Sequence, residues 1–181
     1  MKRKNKVLLG IASATVVAAG SLTFALTQAS AKDDGTSAAK KGTASYHDVD
    51  TATAAGFEKL IDKNGVACID DPAGGMGIHY VKGDRVGNAT EVASEPEVLV
   101  YEPQKNGKLK LVAVEYVVTK DAWQKAGNTK PPVLFGREFT LIPEGNRYGL
   151  PDFYELHAWV WAKNPSGMFN DWNPKVSCQY A

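Results

Sequence analysis

The spacing of apolar residues changes along the chain from a helix-like to a strand-like period. In the first part, the apolar residues of Val49–Asp62 recur at intervals that predict one amphipathic helix. Ser45 and Asp48 form a capping-box pattern ahead of this helix, and Asn64-Gly65 supplies a stop signal after it. Gly56 lies inside the segment and costs about 1 kcal/mol relative to Ala. We therefore expect the helix to depend on packing against the rest of the domain.

Five later segments are rich in β-branched and aromatic residues and are bounded by Gly, Pro and Asn, which is typical of strands. These segments are Gly77–Val81, Glu97–Tyr101, Leu109–Val118, Glu138–Ile142 and Tyr154–Trp161. Asn106-Gly107, between the second and the third, is a strong hairpin signal, and Asp121–Ala126 is predicted to be a short helix. The predicted fold class is α+β, with a curved antiparallel sheet of about five strands and one long N-terminal helix packed on it.

The N-terminal segment has the organisation of an export signal. Met1–Lys6 is basic, Val7–Leu26 is apolar, and Ala29-Ser30-Ala31 fits a signal-peptidase site. An uncleaved membrane anchor is the alternative, because about 20 apolar residues can span a bilayer. The small and hydroxylated residues in the run and the cleavage pattern favour removal. We expect a signal peptide at 1–31, a flexible spacer at 32–45 and a single globular domain at 46–181, secreted and extracytoplasmic.

The overall charge is close to neutral, with 21 Lys and Arg against 20 Asp and Glu. Four of the basic residues lie in the first six positions, so the remainder of the chain is slightly acidic. Nucleic-acid-binding domains carry a clustered basic excess. We therefore expect no nucleic-acid partner, and no membrane association once the signal is cleaved.

Two cysteines, Cys68 and Cys178, lie near the two ends of the predicted domain. In an oxidising compartment such a pair is expected to form a disulfide. A cysteine-based zinc site would need more ligands at closer spacing. Pairing would also leave neither thiol free to act as a nucleophile.

Ionisable side chains interrupt three of the predicted strands. Strand alternation places Glu155, His157, Trp159 and Trp161 on one face of Tyr154–Trp161. Glu115 lies within the apolar run of its strand, and His79 lies within Gly77–Val81. Burying such groups is costly unless a partner, a metal or a wet pocket satisfies them. We expect the four ionisable groups to converge on one concave sheet surface, with the two tryptophans as its apolar wall.

Three interpretations of this cluster remain open at the level of sequence. Two imidazoles and a carboxylate suit a divalent transition metal, with His79, His157 and Glu115 as ligands. The same residues could instead line a pocket for a small organic ligand without a metal. A purely structural network, with His157 hydrogen-bonded to Glu115 or a tyrosine and Glu155 facing water, is the third interpretation. No His-x-His or His-Glu-x-x-His spacing is present.

Two further function classes are compatible with the sequence. A hydrolase could use Glu115 or Glu155 with His157 as acid–base partners, although the chain has no Gly-x-Ser-x-Gly motif. A glycan-binding or structural protein of the cell envelope could present some of its four tryptophans and seven tyrosines as stacking platforms. Aromatic residues on strands also build cores, and burial of Trp159 and Trp161 would count against such a platform.

Several blocks of the chain resemble a recurrent group of secreted proteins of uncharacterised activity. The blocks are GMGIHYV (Gly75–Val81), PEVLVYEP (Pro96–Pro103), LVAVEYVV (Leu111–Val118) and the long block Tyr148–Cys178, which contains YELHAWVWAKNPSGMFNDWNP. The similarity extends over nearly all of Tyr46–Cys178. It implies an exported single-domain protein with Cys68 and Cys178 paired, and it implies no particular activity or catalytic residue.

Overall fold

The computed structural model describes residues 35–181, so the predicted signal peptide at 1–31 lies outside the described residues. The helices are α1 (Thr36–Thr43), α2 (Val49–Ala54), α3 (Gly83–Val86) and α4 (Lys120–Lys125), with a 3-10 helix at Ala44–His47. The strands are β1 (Glu58–Lys59), β2 (Cys68–Asp71), β3 (Gly74–Val81), β4 (Val98–Pro103), β5 (Leu109–Thr119), β6 (Val133–Leu134), β7 (Arg137–Glu138), β8 (Thr140–Ile142) and β9 (Phe153–Ala158). Among these described residues, no helix has the length and apolar character needed to cross a membrane.

Seven of the strands form one antiparallel sheet in the order β1-β3-β4-β5-β9-β8, with β2 also paired to β3. Strands β6 and β7 form a separate two-stranded sheet. Each of the five predicted strands overlaps an observed strand, and the predicted short helix overlaps α4. The predicted hairpin is also present, because β4 and β5 pair on either side of Gly107, which has a positive φ of 76°.

The predicted long N-terminal helix is wrong, and the described domain is mostly antiparallel sheet with short helices. The helix expected over Val49–Asp62 ends at Ala54 because Gly56 adopts a left-handed φ of 92°. The amide of Phe57 donates to the carbonyl of Ala52 at 3.1 Å, and the amide of Gly56 donates to that of Thr53 at 3.0 Å. This pair of bonds is the Schellman arrangement, which terminates helices at a glycine. The chain then continues as β1 along the edge of β3.

The predicted flexible spacer at 32–45 is also wrong where the structure describes it, because α1 occupies much of it. Ala39 and Thr43 of this helix are completely buried. The Thr43 hydroxyl donates to the carbonyl of Ala39 at 2.7 Å and accepts from the indole of Trp161 at 3.0 Å. The small residues that resembled a linker are therefore those that allow a helix to pack closely against the domain.

The sheet has two buried faces, because strand alternation sends successive side chains to opposite sides. One face, here called the tyrosine face, packs against Ala39, Ala52 and Phe57 from the N-terminal segment. Its strand residues are Ile78, Tyr80, Leu99, Tyr101, Val114, Tyr116, Val118, Tyr154, Leu156 and Ala158. The opposite face, here called the histidine face, carries the apolar residues Val98, Val100, Ala113, Val117 and Phe153 together with His79, Glu115, Glu155 and His157.

The predicted disulfide between Cys68 and Cys178 is present, with a Cα–Cα distance of 5.7 Å. It ties the C-terminal segment to β2, and the same segment pairs with β3 through Gly75 and Asn173. A side chain at Gly75 would place its Cβ 2.7 Å from the carbonyl oxygen of Val176, so only glycine permits this approach. The disulfide is compatible with an oxidising, extracellular location.

Candidate metal centre

The sheet register gathers His79, Glu115 and His157 on the histidine face. Glu115 on β5 lies directly opposite His157 on β9 and opposite Val98 on β4. His79 on β3 lies opposite Val100, so β4 separates it from Glu115. The β4 residues between them are valines, whose short side chains leave room for the longer ones to meet above the strand. The Nε2 atom of His79 is 3.6 Å from Oε2 of Glu115.

One ligand atom from each of these three residues lies within 4.8 Å of the other two. His79 and His157 are 2% and 1% exposed, and Glu115 is also buried. The ring centroids of His79 and His157 are 6.4 Å apart, and the ring of Trp159 packs against His157 with a centroid distance of 4.6 Å. The predicted convergence of His79, Glu115 and His157 is therefore found in the described structure.

Both histidines lack hydrogen-bond partners in the described part of the chain. Nδ1 and Nε2 of His79, and the same two atoms of His157, are buried without any partner. A neutral imidazole has one donor nitrogen and one acceptor nitrogen, and leaving such a group unpaired in the interior costs about 1–3 kcal/mol. The structural network considered from sequence, in which His157 bonds to Glu115 or a tyrosine, is not formed by these residues.

The buried environment keeps both imidazoles uncharged at neutral pH. Burial lowers the pKa of His79 to about 4, and the nearby charge of Arg147 adds to this effect. The carbonyl of Gly77 offsets part of this lowering without meeting hydrogen-bond geometry. Burial lowers the pKa of His157 to about 3, with a further contribution from His79. Neutral imidazole is the form of histidine that binds metal ions.

Glu115 and Glu155 form a buried carboxyl pair next to the imidazoles. Burial raises the pKa of Glu115 well above its ordinary value, and the charge of Glu155 raises it further. Burial also raises the pKa of Glu155 to about 7, while its hydrogen bond with Glu115 acts in the opposite direction. Burial therefore favours the neutral form of both carboxyl groups. The expectation that Glu155 faces water in a structural network is wrong, because Glu155 is buried.

An apolar cavity of about 270 Å³ adjoins this cluster on the histidine face. His79 and Glu115 form part of its wall, where they supply an imidazole and a carboxyl group. Its apolar lining includes Leu60, Val86, Val98, Tyr148, Leu150 and Phe153. The cluster therefore borders a space large enough for a small molecule.

An ion pair between the half-buried Arg147 and the buried Asp62 holds the loop beside this cavity. The guanidinium of Arg147 donates to Oδ2 of Asp62 from Nε at 3.0 Å and from Nη2 at 2.7 Å. The amide of Val66 and the Arg147 guanidinium hold the pKa of Asp62 below its ordinary value. The amide of Lys63 also donates to the carbonyl of Arg147 at 3.2 Å. These contacts fix the neighbouring Tyr148 over the cavity.

Sequence reasoning missed Asp62, Arg147 and Tyr148. Asp62 had been placed at the end of a helix, and Arg147-Tyr148 belonged to a segment between predicted strands. The pairing joins residues 85 positions apart through an irregular loop, so no periodicity could reveal it. The available signal was the pair of opposite charges in two loops, which on its own is too common to be specific.

The structure separates the two tryptophans that were predicted to share a wall. Strand β9 ends at Ala158, so the alternation does not continue to Trp161. Trp159 is buried on the histidine face, and its indole donates to the carbonyl of Asn170 at 2.6 Å. Trp161 packs instead against the core of the tyrosine face, and its ring meets His47 with a centroid distance of 4.3 Å. The predicted apolar wall is therefore wrong, because neither tryptophan lines the cavity, and of the six predicted ligand-binding residues it is His79 and Glu115 that do.

Burial of Trp159 also bears on the glycan-platform hypothesis. A ring that is 3% exposed cannot offer its face to a sugar without a rearrangement of the segment around Asn170. The acid–base hypothesis gains the raised pKa of Glu155, yet the cavity is bordered by His79 and Glu115. The pair that reaches the cavity, His79 and Glu115, is therefore different from the pairs considered from sequence, which were His157 with Glu115 or with Glu155.

Comparison of this chain with protein-family models, with curated proteins and with solved structures finds no match. The geometry of the histidine face therefore carries the functional argument.

Proposed function

We propose that this protein is an exported domain that binds a divalent transition metal ion through His79, His157 and Glu115. The observation that carries the proposal is the set of four buried imidazole nitrogens without partners beside the carboxyl group of Glu115. A metal ion would satisfy one acceptor nitrogen of each ring and replace the proton on Glu115. It would thereby offset part of the cost of burying these groups.

The ligand set favours zinc among the biological divalent ions. Two imidazole nitrogens and one carboxylate oxygen are a common zinc set, with ligand distances of about 2.0–2.2 Å. In tetrahedral geometry these distances place ligand atoms about 3.3 Å apart. The observed limit of 4.8 Å is wider, so small side-chain rotations would close the three groups around one ion. Copper, iron and manganese accept the same donor types and are comparison ions for the test.

Export is part of this proposal. The basic and apolar organisation of Met1–Ala31 supports it, and the Cys68–Cys178 disulfide is compatible with it. N-terminal sequencing of protein recovered from the culture medium or cell envelope should begin at Lys32. Recovery of the reduced, full-length chain from the cytoplasm alone would contradict the export part of the proposal.

The test is a zinc titration of the mature protein after removal of bound metal with a chelator. We expect one equivalent of zinc to bind to the wild type, and we expect His157→Ala and His79→Ala to lose it. His47→Ala is the matched control, because His47 is the remaining histidine of the three and is exposed. Glu115→Gln keeps the side-chain volume and should weaken binding at least about 100-fold, more than the 10–100-fold typical of outer-shell changes.

Two results would contradict the metal proposal. One is a folded wild-type protein that binds no zinc, copper, iron or manganese. The other is a stoichiometry that stays unchanged in a folded His157→Ala variant. Circular dichroism and intact disulfide content identify the folded samples.

A further inference from the structure

We infer that the cavity beside the cluster binds a small apolar molecule that carries a single carboxylate head. The head would occupy the open coordination position of the metal, and the tail would fill the cavity. The metal contact of the head rests on the proposed function, whereas the apolar fit of the tail rests on the cavity alone.

The lining of the cavity argues for an apolar tail. Leu60, Val86, Val98, Leu150 and Phe153 contribute aliphatic or aromatic carbon to its wall. The polar groups lie together at one part of the wall, where His79 and Glu115 border the space. Predominantly apolar pockets with a few convergent polar groups are the usual form of small-molecule sites, in which the polar groups fix the orientation of the ligand.

The volume limits the size of the ligand. A cavity of about 150 Å³ lined by apolar side chains holds one benzene molecule. By proportion, the present cavity of about 270 Å³ should hold about ten non-hydrogen atoms. A straight-chain monocarboxylate of eight carbons has this size, which makes octanoate a suitable probe.

The coordination of a loaded centre argues for a carboxylate head. Carboxylate oxygen is one of the donor types that zinc accepts, and it is the donor that Glu115 itself would supply. Three protein ligands also leave a fourth position open in tetrahedral zinc.

The edge of the cavity gives access from solvent. Leu150 lines the cavity and is 38% exposed, and Gly83 lines it and is exposed as well. A ligand could therefore enter between the loop that carries Leu150 and the start of α3 without disrupting the sheet.

The experiment titrates straight-chain carboxylates of two to eight carbons into the zinc-loaded protein, with 1-octanol as a neutral probe. Affinity should rise about fourfold for each added methylene until the cavity is full. Octanoate should bind the zinc-free protein at least about tenfold more weakly, because its carboxylate then lacks a counter-charge. Octanol should bind both forms.

Gly83→Phe supplies the structural control on location. A Cβ at Gly83 meets no atom within 4 Å, and the apolar cavity favours burial of the added ring. We expect this variant to retain zinc and to bind octanoate and octanol at least about tenfold more weakly. Gly87→Phe is the matched control, because Gly87 also has open space at its Cβ position and does not line the cavity. It should bind both probes like the wild type.

The outcomes separate this inference from the proposed function. Zinc binding without chain-length dependence, or with unchanged octanoate and octanol binding in Gly83→Phe, would overturn the ligand inference and leave the metal proposal standing. Octanol binding to a protein that binds no metal would overturn the metal proposal and the carboxylate head, and would leave only the apolar cavity site.

Discussion

Both faces of the sheet are buried, but in the described part of the chain two tyrosine hydroxyls are satisfied on one face and two imidazoles are unpaired on the other. On the tyrosine face, the Tyr101 hydroxyl donates to the carbonyl of Tyr46 at 2.6 Å, and the Tyr116 hydroxyl donates to that of Ala93 at 2.7 Å. On the histidine face, the ring nitrogens of His79 and His157 have no partner among the described residues. The same strands contribute to both faces, so the difference does not come from the sheet.

The difference comes from what covers each face. The segments over the tyrosine face bring main-chain carbonyls to the hydroxyl groups, so each of these two tyrosines is satisfied locally. The segments over the histidine face bring mainly apolar side chains, such as Leu60 and Leu150. The unpaired imidazoles are the basis of the metal proposal, although Oε2 of Glu91, near Glu97 and Tyr116, is also buried without a partner among the described residues.

The largest expected effect concerns the disulfide, whose Cys68 packs in the core of the tyrosine face. Replacing both cysteines by alanine should lower the free energy of unfolding by about 4–5 kcal/mol, because the bond closes a loop of 110 residues. Urea denaturation measures this change. Zinc stoichiometry should remain the same at temperatures where the variant is folded, because neither sulfur belongs to the cluster. A loss of less than about 1 kcal/mol would contradict the prediction.

A smaller effect should appear in the pH dependence of stability through Glu97, which lies on the tyrosine-face side of β4. Burial raises the pKa of Glu97 to about 8, with a further contribution from the charge of Glu91, while the Val117 amide and Arg85 act in the opposite direction. Below about pH 8 the native state therefore keeps a proton on Glu97. The unfolded state releases this proton once the pH exceeds the ordinary pKa of a glutamate. Stability from this group is present at low pH and is lost as the pH rises toward about 8.

Glu97→Gln tests this assignment. Between about pH 5 and about pH 8, the wild type should lose on the order of a few kcal/mol more stability than the variant, because the amide does not ionise. Thermal unfolding across the pH range measures the difference. Glu95→Gln is the control, because Glu95 is exposed and should leave the pH dependence of the wild type unchanged. Parallel curves for the wild type and Glu97→Gln would show that Glu97 ionises normally.

On the tyrosine face, removal of one hydroxyl should destabilise the protein. Tyr116→Phe leaves the carbonyl of Ala93 without its donor and should lower the free energy of unfolding by about 1–2 kcal/mol. Chemical denaturation measures the change, and Tyr180→Phe at an exposed position is the control. Equal stability of Tyr116→Phe and the wild type would mean that this face does not depend on its polar contacts.

On the histidine face, the corresponding change should have the smallest effect and the opposite sign. In the metal-free protein, the double variant His79→Leu and His157→Leu removes unpaired polar groups and keeps similar volume. We expect stability within about 1 kcal/mol of the wild type, or above it. Thermal unfolding in the presence of a chelator measures this. A loss of several kcal/mol would show that the imidazoles support the metal-free fold, which would abolish the contrast between the two faces.

The sequence was sufficient to predict five strands and the shared face of Glu155 and His157, whereas β1, β2 and β6 were not predicted. Side chains alternate strictly along a strand, so Glu155 and His157 had to share a face. The convergence with Glu115 was a hypothesis, because no sequence pattern indicated that their strand pairs with β5 and places Glu115 opposite His157. The disulfide was predictable from the two cysteines alone. These features depend on local periodicity and on simple counting.

The remaining features depend on where an element ends, which periodicity does not determine. Gly56 was interpreted as a tolerated residue inside a helix, whereas its positive φ ends α2. Trp161 was assigned to the histidine face because the strand was extended past Ala158. The cavity depends on an irregular loop held by Asp62 and Arg147, a long-range contact that the sequence pattern does not encode.

The most direct test of the central claim is X-ray absorption at the zinc edge, measured on zinc-loaded mature protein. We predict a first shell of nitrogen and oxygen at about 2.0–2.2 Å, with the outer-shell scattering of two imidazole rings. The two-ring signal should be absent in His79→Ala, which is expected to lose its zinc, and should remain in His47→Ala. A shell of oxygen atoms without imidazole scattering would show that the unpaired histidines are not a metal site.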